Sequence, residues 1–286
     1  MGLVDRDDGW RIPDWLWAKM EPLLPPRPPP PHPLGCHRPR VPDRSAMNAI
    51  LLVLRTGMQW NALAASGVCS SSSAHRRFGG VGAGRGVPRD LAGGTARLRR
   101  GGGHRLELPL LRRSHDQGAS RRGKDRSQSY RSSKKGAKRS VLTEGAGVPI
   151  GLAHEGANRN DHLLLEGTLD SIPIARPQPT PKKPQGLCLD KAYDNKGTRE
   201  LVSDYGFVPH IRSRGEEMKD KLRVPGWRAR RWVVEACHSW LNRNRGILIR
   251  WSKKEENHLA LLMLASGLIA FKKARDAALQ AALEAA

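Results

Sequence analysis

The chain has 286 residues, with 50 Lys and Arg against 27 Asp and Glu, a formal net charge of +23. That length suits one large domain with a smaller one, and a basic excess spread along the whole chain points to nucleic acid as partner, with an anionic membrane the weaker alternative. The longest apolar run, Leu259–Phe271, is 13 residues, too short to span a bilayer, and the acidic start Met-Gly-Leu-Val-Asp-Arg-Asp-Asp lacks the apolar stretch of a signal peptide.

Four cysteines, Cys36, Cys69, Cys188 and Cys237, are scattered without a CxxC pair. Neither a zinc site nor a disulfide framework is expected, and a cytoplasmic location follows by default. Residues 13–24 read as a short helix with Pro13 in its first turn. Residues 25–42 are Pro-rich and basic, a linker that cannot be helical. A second helix runs from Asp43, the expected N-cap, to Gly57, the expected C-terminal stop. A third starts at Ser72 or Ser73 and carries His75, Arg76 and Arg77. Two helices across a turn, the second basic, predict a helix-turn-helix-like DNA-binding domain over residues 1–78.

Residues 79–132 break the pattern. These 54 residues hold 12 Gly and 12 Arg and no Ile, Phe, Trp, Met or Asn. No hydrophobic period survives, so composition predicts a basic segment without a strand. Order resumes near Lys138, where Arg-Ser-Val-Leu-Thr, Glu-Gly-Ala-Gly and Val-Pro-Ile-Gly-Leu-Ala-His predict a β-hairpin. A helix over 158–169, a strand over 186–190 ending in Asp190, a helix over 195–205 and a strand over 207–212 follow.

Residues 228–243 predict an amphipathic helix. Trp232, Val233, Ala236 and Trp240 recur at helical spacing and are expected to face a core, with Glu235 a buried carboxylate beside them. Glu235 has two readings: a salt bridge to Arg231 one turn back, or a metal ligand on a surface that holds a polyanion. An apolar helix over 255–273 and an Ala-rich tail, 276–286, complete the chain. Strands and helices in this order predict α/β, a mixed sheet covered by helices.

Several stretches converge on one family. Leu189-Asp190-Lys191-Ala192-Tyr193-Asp194, the run Arg230-Arg231-Trp232-Val233-Val234-Glu235, and His154 to Asp161 occur in order. With Leu54-Arg-Thr-Gly-Met-Gln-Trp60 and Ser73-Ala-His-Arg-Arg-Phe78, they closely resemble the bacterial insertion-sequence DDE transposases with a ribonuclease-H-like catalytic core. The resemblance covers most of 9–78 and 134–272. It implies a ribonuclease-H-like mixed sheet in residues 133–275, with Asp190 as the second catalytic acid at a strand end and Glu235 as the third on a downstream helix. It also implies Mg2+ or Mn2+ as cofactor, because phosphodiester cleavage and strand transfer use two divalent ions about 3.5–4 Å apart, held by carboxylates. Double-stranded DNA, as terminal inverted repeats and target, is the implied partner of a homo-oligomer. The family's Tyr and Lys flanking this glutamate are here Arg228 and Asn242.

The family's first acid should fall within 79–132, where the nearest acids are Glu107 and Asp116. With codons chosen at the third positions, a frame shifted forward by one base can read Arg112-Arg-Ser-His-Asp-Gln-Gly-Ala as Asp-Gly-Ala-Met-Thr-Lys-Ala-Pro. The segment therefore reads as translated out of frame between two compensating shifts, with the first acid replaced at Arg112 and a central strand lost. A genuine basic linker is the alternative. The expected function is metal-dependent DNA cleavage and strand transfer, in a copy that has lost an acid; a non-catalytic DNA-binding remnant is the runner-up. Expected DNA contacts are Arg76 and Arg77 in the N-terminal domain, Lys138 and Arg139 on the hairpin, and Arg230, Arg231 and Arg243 around the last acid.

Overall fold

The structure, a computed structural model, describes residues 9–27, 40–83, 110–118, 136–156, 161–173, 176–211, 219, 222–223, 231–252 and 254–284. Two compact units emerge: Met1–Leu91 with Arg243–Ala265, and Ala92–Asn242 with Ser266–Ala286.

The first unit is helical. Helix α1 spans Asp14–Met20 and buries Leu16, Trp17 and Met20. Helix α2 spans Asp43–Thr56 and ends at Gly57, whose φ of 68° closes the last turn as expected. Asp43 is the first helical residue rather than the N-cap, which is Pro42. A 3-10 segment, Trp60–Ser66, leads to helix α3, Ser71–Ala83. Ala49, Val53, Leu63, Cys69 and Ala74 form the shared core of α2 and α3, with Trp60 packed against it.

The second unit holds the sheet. Its strands are β1 Leu110–Gly118, β2 Gly136–Thr143, β3 Pro149–Gly156, β4 Gly186–Leu189 and β5 Val208–Ile211. Their spatial order is β3-β2-β1-β4-β5. Strand β2 runs antiparallel to both β1 and β3, whereas β4 is parallel to β1 and β5. This is the ribonuclease-H-like mixed sheet that the resemblance implied. Its middle strand, β1, lies where the sequence predicted none. The expectation of a missing central strand is therefore corrected. A ladder on both sides supplies what the local pattern lacks, because strand formation depends more on neighbours than on intrinsic preference.

Helices α4, Asp161–Asp170, and α5, Lys196–Asp204, cover one face. Asn195 caps α5 by accepting the Thr198 N–H at 2.9 Å. Period-two alternation sorts β4 between faces. Leu187 and Leu189 join Leu142, Leu165, Val202 and Phe207 in one core, whereas Cys188 packs with Val233 and Val234 of helix α6, Arg231–Asn242. Helix α7, Arg245–Leu248, and the long helix α8, Glu255–Glu284, follow; α8 takes in the Ala-rich segment as far as Glu284.

Close approach of β3 to α4 requires Gly151. A Cβ there would stand 2.7 Å from the Thr168 carbonyl oxygen and 3.2 Å from Leu142 Cβ. Gly151→Ala is expected to lower stability by roughly 1–3 kcal/mol through overpacking, read as a shifted urea midpoint with an unchanged slope.

Candidate active site

Asp190 follows β4 directly, in extended backbone (φ −71°, ψ 154°), and its Oδ1 accepts the Lys191 N–H at 2.8 Å. The turn behind it is anchored by Tyr193, which is 1% exposed. The second acid of this turn, Asp194, is engaged by Arg199 at 2.7 Å. Asp190 itself is exposed at the strand end.

Strand register identifies its neighbour. Leu110 of β1 pairs with Cys188 of β4 in parallel. Continued two residues along both chains, past the end of β4 at Leu189, this pairing would bring position 112 level with position 190. The residue at 112 is arginine. The shifted-frame reading assigns the missing first acid to this same position, and Asp116 lies four residues further along the strand.

Helix α6 packs against β1 and β2 and carries Glu235. Two expectations about this helix are corrected. Glu235 is exposed rather than buried, and the core stripe is Val233, Val234, Cys237 and Leu241. Trp232, expected inside, is 60% exposed. Trp240 is half-buried, against the hairpin turn at Gly147, with the Lys273 ammonium 4.3 Å above its ring. The sequence carries two apolar stripes a fraction of a turn apart, and only the sheet selects between them. The rotation turns Glu235 toward solvent, where a carboxylate can meet a ligand. Burial pushes the Cys237 thiol up to about 12, with the nearby Arg139 charge opposing, so Cys237 is a packing group and no nucleophile.

The expected DNA contacts divide by exposure. Arg76 and Arg243 are exposed and Lys138 is half-buried, across the β2–β3 ladder from Glu155. Arg77 is committed inside the first unit: its Nε meets Asp43 Oδ1 at 2.6 Å and its NH2 donates to the Pro25 carbonyl at 3.2 Å. Asp43 also binds Arg27 at 2.5 Å. Arg139 is 1% exposed and donates to Asn242 Oδ1. It ties β2 to the C-terminal end of α6 and offers no outer face to a phosphate. Arg231 opens α6, and Arg230 lies outside the described residues. The Arg139–Asn242 pair escaped sequence reasoning. Its only signal is that Asn242 stands seven residues after Glu235, where the resembled family has a lysine.

Among the described residues no group of three or more His, Cys, Asp and Glu comes together as a metal site. None of the described helices is long and apolar enough to cross a membrane.

Comparison with known proteins adds the following. A family profile described as "Transposase DDE domain" matches residues 107–269, and one described as "Putative transposase of IS4/5 family" matches residues 12–81. The chain is 32% identical over 145 residues to a Burkholderia cepacia protein named "Putative transposase for insertion sequence element IS402". That match spans 50% of this chain and 66% of the relative. A second Burkholderia cepacia protein, "Insertion element IS402 uncharacterized 16.2 kDa protein", is 45% identical over 60 residues, 21% of this chain and 40% of its own length. Among solved structures, a pre-cleavage Mos1 transpososome aligns over 84% of this chain and 80% of its own, at 10% identity and a TM-score of 0.28.

Proposed function

Because the chain belongs to the family of transposases with a DDE domain, we propose that it is an insertion-sequence transposase that binds the terminal inverted repeats of its element and the target DNA. The proposed acids are Asp190 and Glu235, and the proposed assembly is a homo-oligomer. The observation that carries this reading is the arrangement of the second unit. Parallel β1 and β4 bring positions 112 and 190 level, and α6, packed on β1, turns an exposed Glu235 outward.

Magnesium or manganese is the cofactor of this chemistry, held by carboxylates. The donor set of this chain does not fit such a centre. Asp190 and Glu235 are carboxylates, but the position level with Asp190 carries Arg112, and a guanidinium has no lone pair to give a metal. We therefore derive no metal-dependent step for the chain as it stands. This favours the second reading, a DNA-binding transposase with its cleavage centre disabled. Arg76, Arg243, Lys138, Arg230 and Arg231 are the proposed phosphate contacts.

The test uses the full chain and duplex DNA that ends in the element's repeats. Binding should weaken steeply as salt rises, since each phosphate contact releases counterions. Strand nicking in Mg2+ or Mn2+ should lie near background. Asp190→Ala should leave binding within about twofold, because phosphate contacts supply that affinity, while it removes whatever nicking remains. Nicking that survives Asp190→Ala would show that the acids lie elsewhere.

A further inference from the structure

The helical unit contains a cavity of about 460 Å³ that the functions above leave unused. Its walls are aromatic: Trp60, Trp251 and His75. His75 meets the Trp60 ring edge-on, with centroids 5.0 Å apart and planes at 88°. Trp251 lines the cavity and is 53% exposed. Asn61 and Asn257 add amide groups, each both donor and acceptor, and Lys254 adds a cation. No acid is among the lining residues.

Two glycines give the cavity its floor. A Cβ on Gly246 would stand 2.9 Å from the Val53 carbonyl oxygen, and one on Gly57 would stand 3.0 Å from the Arg245 backbone. Helix α7 therefore lies directly on the end of α2, and the aromatic walls rise from a fixed base. Such a site is formed before any ligand arrives, which lowers the ordering cost of binding.

We propose that this cavity holds one unpaired nucleobase of DNA, stacked on Trp251, with its hydrogen-bonding edge toward Asn61 and Asn257 and its phosphate beside Lys254. Every base has a flat π-face, and stacking on an aromatic side chain is a strong, sequence-tolerant contact. Amides match the mixed donor and acceptor edge of a base. Lys254 gives the phosphate a cation, while Glu255 and Glu256, which follow it in the chain, stand outside the lining, and the net charge of +23 draws DNA to the chain. Volume also fits, since cavities of roughly 300–1,000 Å³ hold small ligands. The inference rests on the proposal that the chain binds DNA. It adds that the chain distinguishes an opened or frayed DNA end from a paired one.

The test compares two DNAs of one sequence, a blunt duplex and a duplex with a short single-stranded overhang that carries 2-aminopurine. The full chain should bind the overhang DNA about tenfold tighter, the effect of one stacked base, and should change the 2-aminopurine fluorescence. Trp251→Ala should abolish both the preference and the signal while blunt-duplex binding stays unchanged. Lys254→Gln, at an exposed position, should weaken the preference about threefold, as loss of a single phosphate contact does. Equal binding of both DNAs by the wild-type chain overturns the cavity assignment and leaves the transposase reading intact. Loss of blunt-duplex binding alone, with overhang binding kept, overturns the transposase reading and leaves the cavity assignment standing. A preference that persists in Trp251→Ala also overturns the assignment, because the unpaired base is then held elsewhere.

Discussion

Arg112→Asp is expected to create a divalent-metal site beside Asp190. Hydrogen-bonded strands run about 4.8 Å apart, so the backbone at 112 lies one strand spacing from the Asp190 backbone. An arginine at that position disfavours a nearby divalent ion, since like charges repel. Aspartate reverses that sign and adds two oxygen ligands. Manganese affinity should rise at least about tenfold, or 1.4 kcal/mol, with Arg112→Ala falling between the two. Electron paramagnetic resonance of added Mn2+ reads this without any need for cleavage. In the same variant, Asp190→Ala should return the affinity to its starting value. If Arg112→Asp takes up no more manganese than Arg112→Ala, positions 112 and 190 do not share a site and the register argument fails. Cleavage is a separate and stricter readout, because the residues around position 112 also differ from those of the shifted frame.

Leu187→Ala should be among the most damaging truncations in the second unit, at about 2–5 kcal/mol. Leu187 is 0% exposed and lies among Leu142, Leu165 and Val202, with neighbours contributed by β2, α4 and α5. Its loss leaves a cavity that rigid strand neighbours cannot close. Cys188→Ala, on the opposite face against Val233 and Val234, removes a single sulfur from a half-buried position and should cost far less. Urea unfolding of both variants checks the contrast. Equal costs would mean that β4 does not sort its side chains between two faces. The site should follow the same ranking, since Asp190 is aimed by the strand that Leu187 anchors.

The elements that carry the proposed acids were legible in residues alone. Asp190 is marked by a short apolar strand that ends in an acid, a local pattern that needs no partner. The hairpin is written in its turn: Glu144 Oε1 accepts the Ala146 and Val148 N–H groups at 3.0 and 3.1 Å, and Gly147 adopts φ 87°. Helix α2 is written in its apolar period and in Gly57. Glu235 was found on the right helix but assigned the wrong exposure. The error follows from composition: Trp232 is larger and more apolar than Cys237, so a residue-by-residue reading points the tryptophans inward.

Arg77 and Arg139 show the same limit for charge. Each stands among other cations in the sequence, and both read as surface contacts. In the fold, Arg77 meets Asp43 and the Pro25 carbonyl, whereas Arg139 reaches Asn242, 103 residues away in the chain. A buried cation needs partners, and those partners are distant in sequence.

The sequence by itself determined the basic charge, the helices and strands outside 79–132, the placement of Asp190 at a strand end and of Glu235 on a helix, and the anomaly of residues 79–132. All of these rest on local periodicity, turn chemistry or composition. Only the tertiary structure decided that Leu110–Gly118 is the middle strand, that Arg112 comes level with Asp190, that α6 turns Glu235 outward, and that Trp60 and Trp251 line one cavity. Each of these depends on hydrogen bonds or packing between segments far apart in the chain, and no pattern within a single segment records its partner.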